Sequence, residues 1–209
     1  MRNGWNPGTV IVAVTASVVA VVLAAGVAVA SPDDAAAACQ TVDAPMLDVP
    51  RGDDQEPLLR VPVPEGWEQP PQLDPTEPSI RMAILNPGLA AEDFTPNAVI
   101  ALKKIAADGA DAQQILDAQN EVLIGKAGVT GLSSRGGEAC GLPAMTSSYT
   151  TPAIDIIPAR SATTRVVVYA GADATYVATV TIQAIDTQTG SYNQDAQTIL
   201  EGFQVLPPN

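Results

Sequence analysis

Histidine is the residue type this sequence lacks entirely. That absence removes most reactive constellations at once: no Ser-His-Asp triad, no Cys-His pair and no His-ligated metal can be assembled. Cys39 and Cys140 are the only thiols. A catalytic thiol needs a base or another cationic neighbour to hold it as thiolate, and the usual base is missing. In an exported chain two cysteines allow one pairing, a Cys39–Cys140 disulfide. Its loop of about 100 residues would contribute on the order of 4–5 kcal/mol by the chain-entropy argument.

Acids are the remaining candidates for chemistry. Asp53-Asp54-Glu56 and Glu92-Asp93 could supply the two carboxyls of a glycosidase. Both groups fall in loops, where carboxylates are normally solvated, and aromatic platforms for a sugar are scarce at 4% of the residues. Asp53-Asp54 lacks the spaced ligands of an EF-hand loop. No GxxxxGK[ST] loop and no GxGxxG is present, so Gly125-Lys126 and Gly136-Gly137 read as turns. Lys103-Lys104 reads as a solvated basic pair at a strand end. The expectation is a protein that is not an enzyme, with no metal and no cofactor.

Trp67, in Pro64-Glu65-Gly66-Trp67, has two readings. A large aromatic beside a turn can plug the core under a sheet, or it can line a groove and touch a ligand. A sheet built from Val, Ile, Ala and Thr can likewise enclose an apolar slot for an acyl chain, although ordinary helix packing explains the same pattern.

The charge is strongly acidic, with 23 acids against 10 bases and a net −13. Such a field repels nucleic acid and anionic membrane surfaces. It suits the soluble surface of a secreted protein.

Residues 1–30 read as an export segment. Val10 to Ala30 carries no charge, Arg2 precedes it and Asp33 and Asp34 follow it. This asymmetry directs the N-terminus inward and the rest of the chain outward. Ala28 and Ala30 place small residues before Ser31, as a signal peptidase requires. The alternative is an uncleaved anchor helix, since the run is long enough to span a bilayer. Lipidation at Cys39 is disfavoured, because Ala36-Ala37-Ala38 lacks the leucine of a lipobox. The chain is thus expected outside the cytoplasmic membrane, secreted or in the cell envelope, and membrane-bound only if residues 10–30 are retained. Oligomeric state is left open.

The elements that must position these residues follow from periodicity. Residues 31–57, interrupted by Pro45, Pro50 and Pro57, read as an extended arm. The domain occupies 58–206. Strands are expected at 58–63, with Pro62 suggesting a sheet edge, and at 79–85 and 98–105. A helix follows, with a capping box at Asp111 and Gln114 and a terminating Gly125. Glycine-rich 129–140 reads as a short irregular strand pair, and 144–151 as a strand. A hairpin pairs 163–169 with 175–184, where Tyr176, Ala178, Val180, Ile182 and Ala184 share one face. A second helix starts with a capping box at Ser191 and Gln194 and ends at Gly202, before a last strand at 203–206. Strands, helix, strands, helix and strand make an α+β fold, an antiparallel β-sheet packed with α-helices.

Along residues 58–206 the motifs VPVPEGW (61–67), ILNPG (84–88), FTPNAVIAL (94–102), DAQQIL (111–116) and GLPAMTSSY (141–149) occur in an order that resembles the LpqN/LpqT family of actinobacterial cell-envelope proteins. The resemblance implies a PsbP-like α/β sandwich and export, often with lipidation. It also implies an accessory role in binding mycolate-type envelope lipids or membrane transport machinery. The family brings no catalytic residues. A secreted, antigen-like protein-interaction domain is the alternative, with an acid-based hydrolase behind it.

Overall fold

The computed structural model describes residues 37–70, 77–106, 111–125, 127–155, 157–188 and 190–208. The export segment, with Ala28, Ala30, Ser31 and the alternative reading of an anchor helix, lies outside them. The elements are β1 (Met46–Asp48), β2 (Leu58–Pro62), β3 (Ile80–Leu85), β4 (Asn97–Ala106), α1 (Ala112–Gly125), β5 (Thr130–Ala139), β6 (Leu142–Thr151), β7 (Arg160–Ala170), β8 (Ala174–Ala184), α2 (Tyr192–Glu201) and β9 (Gln204–Leu206). The fold is α+β.

The hairpin β7–β8 is the centre of a six-stranded antiparallel sheet ordered β3-β4-β8-β7-β6-β5. Alternation along β8 sends Tyr176, Ala178, Val180, Ile182 and Ala184 to one face, where all are buried. Ala98, Ile100 and Leu102 of β4 and Val167 of β7 join them. Two pieces cover this face: α2, through Tyr192, Ile199 and Leu200, and a second antiparallel sheet, β1-β2-β9, through Leu59, Val61 and Val205. Helix α1 lies on the opposite face, where Ile115 and Leu116 pack on Met145, Val166, Val168 and Val177. The layers are therefore α1, the large sheet, and a mixed layer of α2 with the small sheet.

Several local features differ from expectation. Pro62 does not mark an edge, because β2 is the middle strand of its sheet. Its missing N–H is harmless at that position: pairing with β9 stops at Arg60, and Val63 N donates to Pro45 O instead. The arm contains β1, which a run of three residues beside two prolines conceals. The segment 129–140 contains not a strand pair but one long edge strand, β5, bulged between Thr130 and Ser133 around Gly131 at φ +65°. The β5–β6 hairpin turns through Cys140 and Gly141, both at positive φ (52° and 74°), the backbone of a two-residue type I′ loop.

That turn carries the disulfide, which joins Cys39 to Cys140 beside Leu58 and Leu206. The chain before β1 is thereby fastened to the hairpin tip. Gly202 brings the arm closer still. A Cβ there would meet Val42 Cγ2 and Pro62 Cγ at 2.5 Å each, so only glycine lets the end of α2 dock.

Candidate binding groove

Helix α1 covers its sheet face unevenly, and that leaves a groove. Its first turn is secured by the expected capping box: Gln113 N donates to Asp111 Oδ1 (3.0 Å) and Asp111 N to Gln114 Oε1 (3.4 Å). Ile115 and Leu116 then anchor the N-terminal half. Mid-helix, Asn120 Oδ1 accepts from Ser147 Oγ (2.9 Å). Further on, Val122 and Leu123 are only half-buried and Ile124 is exposed. The helix closes through Ala127 N to Val122 O (3.2 Å) and Val129 N to Leu123 O (3.4 Å). The left-handed residue is Gly128 (φ +63°) rather than Gly125, so the chain turns later than expected and returns Val129 beneath the helix.

Between this half of α1 and the sheet lies a cavity of about 100 Å³. Val122, Leu123, Val129 and Ile154 supply apolar walls above it, and Val99 and Ala101 lie on its floor. Successive rows of the sheet grade along it. Val168 pairs with Val177, then Val166 with Thr179, Thr164 with Thr181 and Ala162 with Gln183. The floor thus runs from aliphatic through hydroxyl to amide over about 20 Å, at some 3.4 Å per residue.

At the polar end stands Arg160, 3% exposed. Its Nε donates to Gln183 Oε1 (2.6 Å), and Gln183 Nε2 donates to Asn97 Oδ1 (2.9 Å). Asn97 Nδ2 in turn donates to Thr95 O (2.9 Å). The guanidinium lies 5.3 Å from the Phe94 ring centroid, a cation–π distance. Its Nη1 is buried with no hydrogen-bond partner. Next to it Tyr149 OH bonds to Thr164 Oγ1 (2.8 Å), which also bonds to Thr181 Oγ1 (2.9 Å). Burial raises the Tyr149 pKa, opposed by the Thr164 hydrogen bond and the Arg160 charge. Burial lowers that of Arg160, opposed by Tyr149. Tyr149 stays neutral and Arg160 cationic near neutral pH. The cluster offers hydrogen-bond donors to an anion and no group that takes up a proton.

Apart from Lys103, the residues singled out by sequence fall elsewhere. Trp67 is 5% exposed in the main core. Its Nε1 donates to Asp195 Oδ2 (3.1 Å) on the α2 side of the sheet, and it does not line the groove. Ser191 Oγ donates to the same Oδ2 (2.5 Å) instead of capping α2. A buried carboxylate needs donors, and it outcompetes the backbone for the serine. Of the acids, Asp53 Oδ1 accepts from Gln55 N and Glu56 N. Glu56 is buried against Arg81. Glu92 and Asp93, at φ 48° and 61°, form a tight turn between Ala91 and Phe94. The Asp53 and Glu56 carboxylates hold a turn and an ion pair, and residues 91–94 close their turn through the backbone. Among the described residues no cluster of three or more potential metal ligands occurs, and no helix is long and apolar enough to cross a membrane. Lys103 reaches the groove wall and Lys104 lies 5.7 Å from the Tyr176 ring centroid. Sequence reasoning missed Arg160 and Tyr149. The one available hint was a charge opening a strand whose core positions are otherwise uncharged.

Fold and groove together define an α+β sandwich with one sheet face sealed and the other only partly roofed. The chain belongs to the family of probable lipoprotein LpqN, whose sequence profile matches residues 42–206. A solved LpqN involved in cell envelope biogenesis of Mycobacterium tuberculosis is 22% identical, with a TM-score of 0.61 over 78% of this chain and 91% of that one. The Saccharomyces cerevisiae Ran-binding protein Mog1p is 12% identical over 79% of this chain and 97% of that one, with a TM-score of 0.45. No curated protein sequence matches the chain.

Proposed function

We propose that this is an exported, non-enzymatic cell-envelope protein that binds an envelope lipid of the mycolate type on behalf of transport or assembly machinery. The observation that carries the reading is the half-roofed groove, apolar along one stretch and polar at its end. Concave, mostly apolar sites with a few placed polar groups are what small-molecule ligands occupy. The groove contains hydroxyls but no histidine or carboxylate beside them to act as base. The involvement of the M. tuberculosis LpqN in envelope biogenesis agrees with this role. The uncharged run after Arg2 delivers the domain, with release after Ala30.

The test is a native purification from an actinobacterial host, followed by solvent extraction and mass spectrometry of the extract. A lipid recovered in stoichiometric amount supports the reading. An extract identical to that of a purified control protein overturns it and leaves the interaction domain.

A further inference from the structure

The protein carries a net −13, yet no Asp or Glu lines the groove while Arg160 and Lys103 do. The local charge therefore opposes that of the whole molecule. Arg160 makes no ion pair among the described residues. Burying a charge without a counter-charge is costly, and folds that do so normally provide a partner. Here the chain Thr95–Asn97–Gln183 holds Nε in place, and Nη1 remains without a partner. One guanidinium with one unsatisfied nitrogen calls for one negative charge.

We propose that the groove recognises a monoanionic amphiphile, a long-chain carboxylate whose head sits against the Arg160 guanidinium and whose chain lies against Val99, Leu123 and Val129. This rests on the lipid-binding reading above and specifies the head group. A carboxylate is favoured over a phosphate monoester because, among the described lining residues, Arg160 is the one cation at the polar end, while Lys103, paired with Val177, stands at the aliphatic end. An amphiphile is favoured over a small inorganic anion because the floor grades from Gln183 through Thr181 and Thr179 to Val177. At roughly 30 Å³ per water, a cavity of about 100 Å³ takes the head and the start of the chain. The remainder follows the gap beneath the half-buried end of α1. Burial of Tyr149 keeps its hydroxyl protonated, so the polar end presents no competing anion.

The experiment titrates the delipidated full domain by calorimetry with dodecanoate, dodecyl phosphate, dodecanol and dodecyl maltoside, all below their micellar concentrations. Dodecanoate is expected to bind at least tenfold more tightly than the two neutral compounds. Arg160→Gln should remove that advantage, and Arg60→Gln, at an exposed ion pair, should change nothing. Val99→Trp should weaken every ligand by filling the floor. Equal affinity for dodecanoate and dodecanol, or tighter binding of dodecyl phosphate, overturns the carboxylate proposal and leaves lipid binding standing. Failure of all four ligands overturns both. If Arg160→Gln does not fold by circular dichroism, the head-group comparison on the unaltered protein decides alone.

Discussion

The two faces of the six-stranded sheet are built from the same strands and serve opposite ends. Toward α2 and the small sheet, Ala98, Ile100, Ala178, Val180 and Ile182 are wholly inaccessible and polar atoms are few. Toward α1, the same strands present Val99, Thr179, Thr181, Gln183 and Arg160, and part of the surface is left open. Because successive side chains alternate between faces, one run of sequence can seal a core on one side and furnish a groove on the other. The sealed face carries the larger core; the other carries a smaller cluster beside unfilled space and a charge with no ion-pair partner among the described residues.

Five perturbations break or sharpen this contrast. The largest acts at the sealed side's staple. Reducing Cys39–Cys140 is expected to lower unfolding free energy by about 4 kcal/mol, read as a fall in the denaturant midpoint that returns on reoxidation. The intact protein should show no free thiol on labelling. Ile182→Ala, in the sealed face, should lose about 3 kcal/mol, within the range for a buried aliphatic cut back to Ala. Val166→Ala on the groove face removes fewer methyls beside existing space and should lose only about 1 kcal/mol. Equal losses at the two would end the distinction between the faces. Asp195→Ala strips the acceptor from the Trp67 indole and from Ser191, and should lose about 2 kcal/mol, with a shift in tryptophan fluorescence. The smallest effect is a pH slope. Burial raises the pKa of Tyr192 well above 10.0. The unfolded chain therefore releases a proton near pH 10 that the folded chain keeps, and stability falls as pH rises past that point. Between pH 9 and 11 the loss should be about 1 kcal/mol, and Tyr192→Phe should flatten it more than Tyr149→Phe does.

What the sequence disclosed divides along the same line. The sealed face announces itself, since Tyr176, Ala178, Val180, Ile182 and Ala184 alternate with threonines and only one packing satisfies them. The stripe of α2 and the cap of α1 at Asp111 are equally local, and the α+β arrangement follows from them. Other elements depend on partners distant in the chain. Strand β5 is an exposed edge with Gly131, Gly136 and Gly137, so it shows no alternation and owes its length to β6. Strand β1 exists because β2 offers it hydrogen bonds. Ser191 has the appearance of a cap until Asp195, buried under Trp67, takes its hydroxyl. The groove is the extreme case. Arg160, Gln183 and Asn97 lie on three strands, and only the register of β7, β8 and β4 brings them together.

The disulfide at the β5–β6 tip also sets a path for mechanical load. Tension entering from residues ahead of Cys39 passes across the bridge to Cys140, bypassing β1 and the three-stranded sheet. It arrives at a type I′ turn whose two ten-residue strands run back along the edge of the large sheet. A pull on that end therefore bears on the eight paired positions of β5 and β6 rather than peeling away the three-residue β1.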